Sequence, residues 1–355
     1  MRRVYVAAIC ASCVFLMGCS AIGSSDYVEA GMTDIKDGEY ATAIDTFEEA
    51  IEEGADKRQC YRGIGISFYE QGMFEEAIDS FKTSLSYSIG IIDDMDFDIN
   101  FYIAKCYMKL YEYDKAINVY NAILNLDNEN ADAIYLRAIA YLEKGDFDNA
   151  MTDFERVVAL DGDDYDRIIS IYEYLSSYGY ETEGKEILEG IVDEDKMTNY
   201  ELGRVAFYLG NNAEAQNYLE LAKSEKSEED KESIILLLGQ TGEKQGDYNY
   251  AMSVYKTYLE ENTSAKVYNR LGICELEMAT DSNDTSYIDQ AIADFEAGIA
   301  LGDTTENKSL LRNEITAYER KGDFATANTL MESYLQTYPD DVEAQREAVF
   351  ISTRI

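Results

Sequence analysis

Residues Asn130–Asp161 read NADAIYLRAIAYLEKGDFDNAMTDFERVVALD. Apolar residues recur three and four apart on both sides of Gly145: Ile134, Ala138 and Tyr141 before it, Phe147, Ala150, Phe154 and Val157 after it. That period predicts two amphipathic helices joined by a turn at Lys144, Gly145 and Asp146. A single hairpin of this kind cannot cover its own apolar faces, so the pattern implies further copies against which it stacks.

Copies lie on both sides. Tyr27, Gly31, Gly38, Tyr40, Ala43, Phe47 and Ala50 form one, and Tyr61, Ile64, Gly65, Phe68, Gly72, Phe74, Ala77 and Phe81 form the next, about 34 residues on. A third has Ile103, Ala104, Tyr107, Tyr113, Ala116 and Tyr120, after a lengthened connection through Ser88 to Asp96. Beyond the opening stretch a fifth is degenerate: it keeps Gly179, Gly184, Leu188 and Ile191 but has Tyr172 and Leu175 where a small residue and an aromatic are expected. Leu202, Gly203, Gly210, Ala215 and Leu219 mark the sixth; Leu238, Gly239, Gly246, Tyr248, Ala251 and Tyr255 the seventh, after a charged connection from Ser224 to Glu232. The eighth has Tyr268, Leu271, Gly272, Ala291 and Phe295 around an inserted polar turn, Ala279–Ser286, and the ninth Tyr318, Gly322, Phe324 and Ala327, followed by Pro339.

These residues resemble the tetratricopeptide repeat, in which a large residue, a Leu-Gly pair, an aromatic, a turn glycine, an aromatic, an alanine, an aromatic and a second alanine fall at fixed places. The resemblance implies an all-α solenoid, a right-handed superhelix of about nine helix–turn–helix units whose first helices line a concave groove. Approximate repeats are 24–57, 58–91, 97–130, 131–164, 165–195 (degenerate), 196–229, 232–264, 265–304 and 308–341, an array over 26–339, with a capping helix in 340–355. Composition agrees: one proline, no tryptophan and no long alternating run suit helix after helix.

The first residues read differently. Arg2 and Arg3 precede an apolar run, Val4–Met17, too short for a comfortable membrane span, and the run ends in Leu16, Met17, Gly18 and Cys19. Those four residues resemble the lipobox of bacterial lipoproteins. The resemblance implies a signal peptide over 1–18, lipid on Cys19, and a polar tether over 19–25. Two or three acyl chains hold a protein stably on a bilayer, so the expected place is the extracytoplasmic face of the cell membrane, lipid-anchored without crossing.

A formal charge of −40 excludes a generic binder of nucleic acid or anionic lipid headgroups. Partners are expected to be neutral, apolar or basic. Histidine is absent, which removes imidazole triads and His-bearing metal sites. Asp94, Asp96 and Asp98 have the alternate spacing of a calcium loop, but Ile99 replaces the required glycine and Lys105 the bidentate glutamate; no metal or cofactor is expected. Cys60, Cys106 and Cys274 fall at places that prefer small buried residues and read as buried free thiols.

In the resembled family, groove-facing side chains come from fixed places on each first helix. Carried over, those places hold Arg62, Ile66 and Tyr69; Phe101, Lys105 and Met108; Tyr135, Ile139 and Leu142; and Tyr200, Arg204, Phe207 and Tyr208. An apolar, aromatic groove with a few cations fits an extended or helical peptide segment. Packing against the neighbouring repeat is the competing use of the same side chains. The lysine–asparagine pair that clamps a C-terminal carboxylate in some members is missing, since Ile66 follows Arg62 and Ile273 follows Asn269 at the spacing of four.

The function expected is therefore a membrane-anchored scaffold binding a protein or peptide at the bacterial envelope, not an enzyme. The alternative is a lipoprotein that captures a glycan or peptide for a transporter or hydrolase. Glycan cleavage by paired carboxylates ranks last, because nothing in the spacing brings two of them together.

Overall fold

A computed structural model describes residues 24–225 and 231–355. The signal-peptide and Cys19 expectations lie outside the described residues, as does most of the charged connection before the seventh repeat. Among the described residues all regular structure is helical, and no helix is long and apolar enough to cross a membrane. The described residues divide into two compact units, the first ending at Gly162 and the second running from Asp163 to Ile355.

The first unit holds four helix pairs: α1 (Ser24–Lys36) with α2 (Tyr40–Glu52), α3 (Lys57–Glu70) with α4 (Phe74–Ser86), α5 (Asp94–Lys109) with α6 (Tyr113–Leu126), and α7 (Ala131–Lys144) with α8 (Phe147–Leu160). In the last pair the Asn130 side chain accepts the Ala133 N–H and opens α7. Gly145 closes it at φ 86°, a left-handed conformation that costs glycine nothing. Asp146 then caps α8. Ala138, Ala150, Phe154 and Val157 are all fully buried, so the apolar stripes read from the sequence meet inside the pair. Where the other copies of this unit place a turn glycine, the third places Tyr111, which adopts φ 59° and is largely exposed.

The second unit holds α9 (Tyr165–Ser177) with α10 (Glu181–Gly190), α11 (Asn199–Leu209) with α12 (Asn212–Ser224), α13 (Lys231–Gln245) with α14 (Tyr248–Leu259), α15 (Ala265–Ser282) with α16 (Ser286–Ala300), α17 (Asn307–Lys321) with α18 (Phe324–Thr337), and a final α19 (Val342–Ser352). Within each unit every helix packs on its neighbours in sequence, and first helices also touch across pairs, as α3 does with α1 and α5, and α15 with α13 and α17. This is the all-α stack of helical hairpins that the periodicity predicts.

One packing rule recurs. A small residue on the first helix faces a large one on the second: Gly65 faces Phe81, Gly239 faces Tyr255 and Gly272 faces Phe295, each so closely that a methyl on the glycine would sit under 3 Å from the ring. The fifth copy inverts the arrangement. Tyr172 occupies the small place on α9, and the second helix compensates with Gly184 in place of alanine and Leu188 in place of an aromatic. A Cβ at 184 would lie 3.0 Å from Tyr172 Cδ2, so the glycine leaves room for the tyrosine ring. The inserted segment of the eighth copy also departs from expectation: Ala279–Ser282 continue α15 by a turn, and the helix ends at Asn283, which takes the left-handed conformation.

Candidate partner-binding surface

Because first helices repeat at one level of the stack, residues one repeat apart come together on them. In the first unit the Arg58 guanidinium donates to both carboxylate oxygens of Asp93, each at 2.6 Å, and to Asp96 at 2.7 Å. The hydrogen bonds from Arg58 hold the Asp93 carboxyl down at about 2. Arg62 Nε donates to Asp98 Oδ2 at 2.6 Å. The three aspartates with calcium-like spacing thus meet different fates: guanidinium groups occupy Asp96 and Asp98, and Asp94 stays exposed. Among the described residues no group of three or more acids and thiols is arranged to hold a metal.

The sequence-expected side chains separate into two sets. Ile66, Ile139, Leu142 and Phe207 are buried at 2–7 % exposure, and Ile66 belongs to a core shared by α3, α4 and α5. These four have little surface to offer a partner. Their places on the first helix are taken up by contact with the adjacent helix, the competing use. Tyr69, Phe101, Met108 and Tyr135 are half-buried, each with part of its surface open, and Lys105 is exposed. Tyr69 meets Tyr102 edge-on at 5.8 Å, Lys105 Nζ lies 5.4 Å from the Tyr102 ring centre, and Phe101 and Tyr135 lean on Tyr120 and Phe154. Among the sequence-expected residues on α3, α5 and α7 the result is a set of apolar surfaces beside one exposed ammonium, Lys105.

In the second unit α11 carries the corresponding group. Arg204 lies 5.3 Å from the Tyr200 ring and forms an ion pair with Asp166, one repeat back on α9. Tyr208 donates its hydroxyl to Glu173 Oε1 at 3.0 Å and meets Tyr172 edge-on; burial, and then the Glu173 charge, push its own ionisation up to about 12. Phe207 lies under Lys244, whose Nζ is 3.6 Å from the ring centre; burial and the nearby Lys185 lower the lysine's pKa. Tyr200 and Arg204 also line an open cavity of about 480 Å3, with Asp163, Asp164, Tyr165, Asp166, Glu201 and Ser233 as its other walls. Of its four carboxylates, Asp166 pairs with Arg204 and Asp164 with Arg167, and the excess negative charge of Asp163 and Glu201 makes this a place for an ammonium, a guanidinium or a peptide N–H.

Two features were missed in the sequence. The first is the carboxylate partners Asp98 and Asp166, which neutralise two of the three cations assigned to the groove. The second is an amide ladder: Asn269 donates to Ser309 Oγ at 3.0 Å and to Glu306 Oε2 at 3.3 Å and accepts from Asn313 Nδ2 at 2.7 Å. The lengthened eighth copy shifts Asn269 and Asn313 out of the regular repeat spacing, which hid their pairing.

Family models for the tetratricopeptide repeat match residues 28–87, 107–172 and 316–341. The chain is a tetratricopeptide-repeat protein. No curated protein matches it. Among solved structures, a tetratricopeptide repeat protein from Parabacteroides merdae is 18 % identical, with 82 % of this chain and 99 % of that one covered and a TM-score of 0.44. MamA from Desulfovibrio magneticus is 15 % identical over 48 % of this repeat protein and 93 % of its own chain, at a TM-score of 0.40. YrrB, a repeat protein described as having an unusual peptide-binding site, is 17 % identical over 53 % and 92 %, at 0.38.

Proposed function

We propose that this repeat protein is a lipid-anchored, non-catalytic scaffold of the bacterial envelope that holds a protein or peptide partner on its first-helix face. The observation that carries the reading is the face on α3, α5 and α7, where Tyr69, Phe101, Met108 and Tyr135 keep open surface around exposed Lys105. Half-buried aromatic and thioether side chains on a rigid support can accept apolar groups at little entropic cost. The carboxylates around Tyr200 and Arg204 supply acceptors for N–H groups and cations, which suits a partner that is neutral, apolar or basic.

The sequence Leu16-Met17-Gly18-Cys19 behind a basic and apolar start supports attachment through Cys19, and with it a place on the extracytoplasmic side of the membrane.

Two measurements test this. A photo-crosslinking residue at Met108 or Tyr135 in native membranes is expected to capture one discrete partner, and the same residue at Glu155, exposed on a second helix, is not. Equal capture at Glu155 would refute the face. Cys19→Ser is expected to move the protein from the membrane to the soluble fraction, and retention in the membrane would refute the anchor.

A further inference from the structure

The connection between α4 and α5, Tyr87–Asp93, spans seven residues, whereas Glu53–Asp56 and Asp127–Asn130 span four at the equivalent joints. The extra length is not polar. Ile89, Ile91 and Ile92 are 87 %, 72 % and 53 % exposed, and Leu126 at the end of α6, beside them, is 59 % exposed. Between these residues opens a cavity of about 250 Å3 whose walls include Leu85, Ile92, Phe97, Ala122, Ile123 and Leu126. It shares none of the side chains named on the face of α3, α5 and α7, and two of its walls are second helices, α4 and α6.

Four large aliphatic side chains standing in water around an apolar recess are a costly arrangement for a surface that serves only to join two helices. Ile92 and Leu126 line the recess, whereas Ile89 and Ile91 stand exposed in the same joint without lining it. The volume falls below the roughly 300–1,000 Å3 of small-molecule sites and matches instead the pocket that receives one anchoring side chain at a protein interface. The rim decides the occupant. Asp93 and Asp94 follow Ile92 directly, and Asp127 and Glu129 follow Leu126, all exposed. The cations nearby include Arg58, already bound to Asp93 and Asp96, Lys57, whose Nζ lies 5.8 Å from the Tyr87 ring, and Arg156, which donates to the Asn128 carbonyl, so the four rim carboxylates still leave the site acidic. An anionic bilayer would be repelled by that rim, and a second copy of so acidic a chain equally.

We infer that the α4–α5 joint is a second docking site, taking a large aliphatic side chain flanked by lysine or arginine on a partner protein. It stands whether or not the first-helix face binds.

The chain has no tryptophan, so a peptide carrying one can be followed by its own emission. The test uses the full-length mature chain with Cys19→Ser and three twelve-residue peptides with one tryptophan each: leucine with lysine, serine with lysine, and leucine with glutamate, in about 0.3 M salt, where exposed charges beyond a Debye length are screened. The leucine–lysine peptide is expected to bind at least tenfold more tightly than either of the others. Ile92→Ser with Leu126→Ser, the two exposed side chains that line the recess, should weaken it at least tenfold. Both positions are exposed, so the melting curve should stay unchanged. Lys105→Glu, on the first-helix face, should leave binding within twofold. Equal binding of the serine–lysine or leucine–glutamate peptide would overturn the inference, as would an undiminished affinity in the double variant. It would also fall if that double variant instead abolished self-association in sedimentation, or binding to phosphatidylcholine or phosphatidylglycerol vesicles.

Discussion

Replacing Gly239 by alanine sets a small helix-propensity gain against a larger packing cost. In a helix interior alanine is favoured over glycine by about 1 kcal/mol. Against that, the new methyl would lie 2.0 Å from Tyr255 Cζ, 2.2 Å from Cε1 and 2.3 Å from the hydroxyl oxygen. Tyr255 cannot step aside cheaply. It is fully buried in a core with Leu238, Ala251 and Cys274, and its hydroxyl donates to Glu243 Oε1 at 2.7 Å. Overpacking costs about 1–3 kcal/mol, and loss of a hydrogen bond to a carboxylate about 1.5–3 kcal/mol more. The net expectation is a loss of about 1.5–5 kcal/mol for Gly239→Ala. Tyr255→Leu lacks the Cζ and hydroxyl atoms that the methyl strikes, so the double variant should be about 1–2 kcal/mol more stable than the sum of the two single changes predicts. Urea unfolding followed by circular dichroism measures the cycle. Hydrogen exchange on peptides from α13 and α14 locates it, because repeat arrays open locally. A Gly239→Ala protein as stable as the parent, or two changes that simply add, would refute the small-against-large rule.

Two further outcomes follow from single residues. Burial, and then the charge of Glu296, raise the Glu314 carboxyl from 4.5 to about 7. The folded state therefore holds its proton more tightly than the unfolded chain does, and this group's contribution is complete below about pH 4.5 and lost as pH rises through 7. Thermal melts from pH 4 to 8 should show Glu314→Gln flattening the pH dependence by on the order of 2 kcal/mol, and an unchanged slope would count against it. Tyr111 stands at φ 59°, where an L-residue is strained by about 1–2 kcal/mol. Tyr111→Gly gives up an edge-on contact with Tyr113 at 6.3 Å and some unfolded-state rigidity; a gain of about 0.5–1 kcal/mol in a urea titration is expected, and a loss would mean that the ring contact dominates.

Most of the fold was legible because it is local. Ala138, Gly145 and Phe154 announce their pair within a few turns of each other, and stacking only repeats that message. What the sequence concealed lies one repeat away. Arg62 and Arg204 read as groove cations because their partners, Asp98 and Asp166, are about a repeat distant and follow no short-range spacing. Ile66 and Leu142 read as groove residues because position on a helix gives direction, whereas the closeness of the neighbouring helix decides exposure. The fifth copy looked degenerate because a template lists residue types, whereas the large Tyr172 on the first helix is accommodated by Gly184 on the second.

Cys60, Cys106 and Cys274 sit on α3, α5 and α15, each fully buried and unpaired. Burial pushes the first two thiols up to about 11 and about 12, and raises the third further in the same direction. An alkylating reagent needs an accessible thiolate, so none of these sulfurs can react until its own helix pair separates. The molecule thereby carries three clocks at separate stations along the chain. Their labelling times would give the order in which its repeats unzip, with no probe attached.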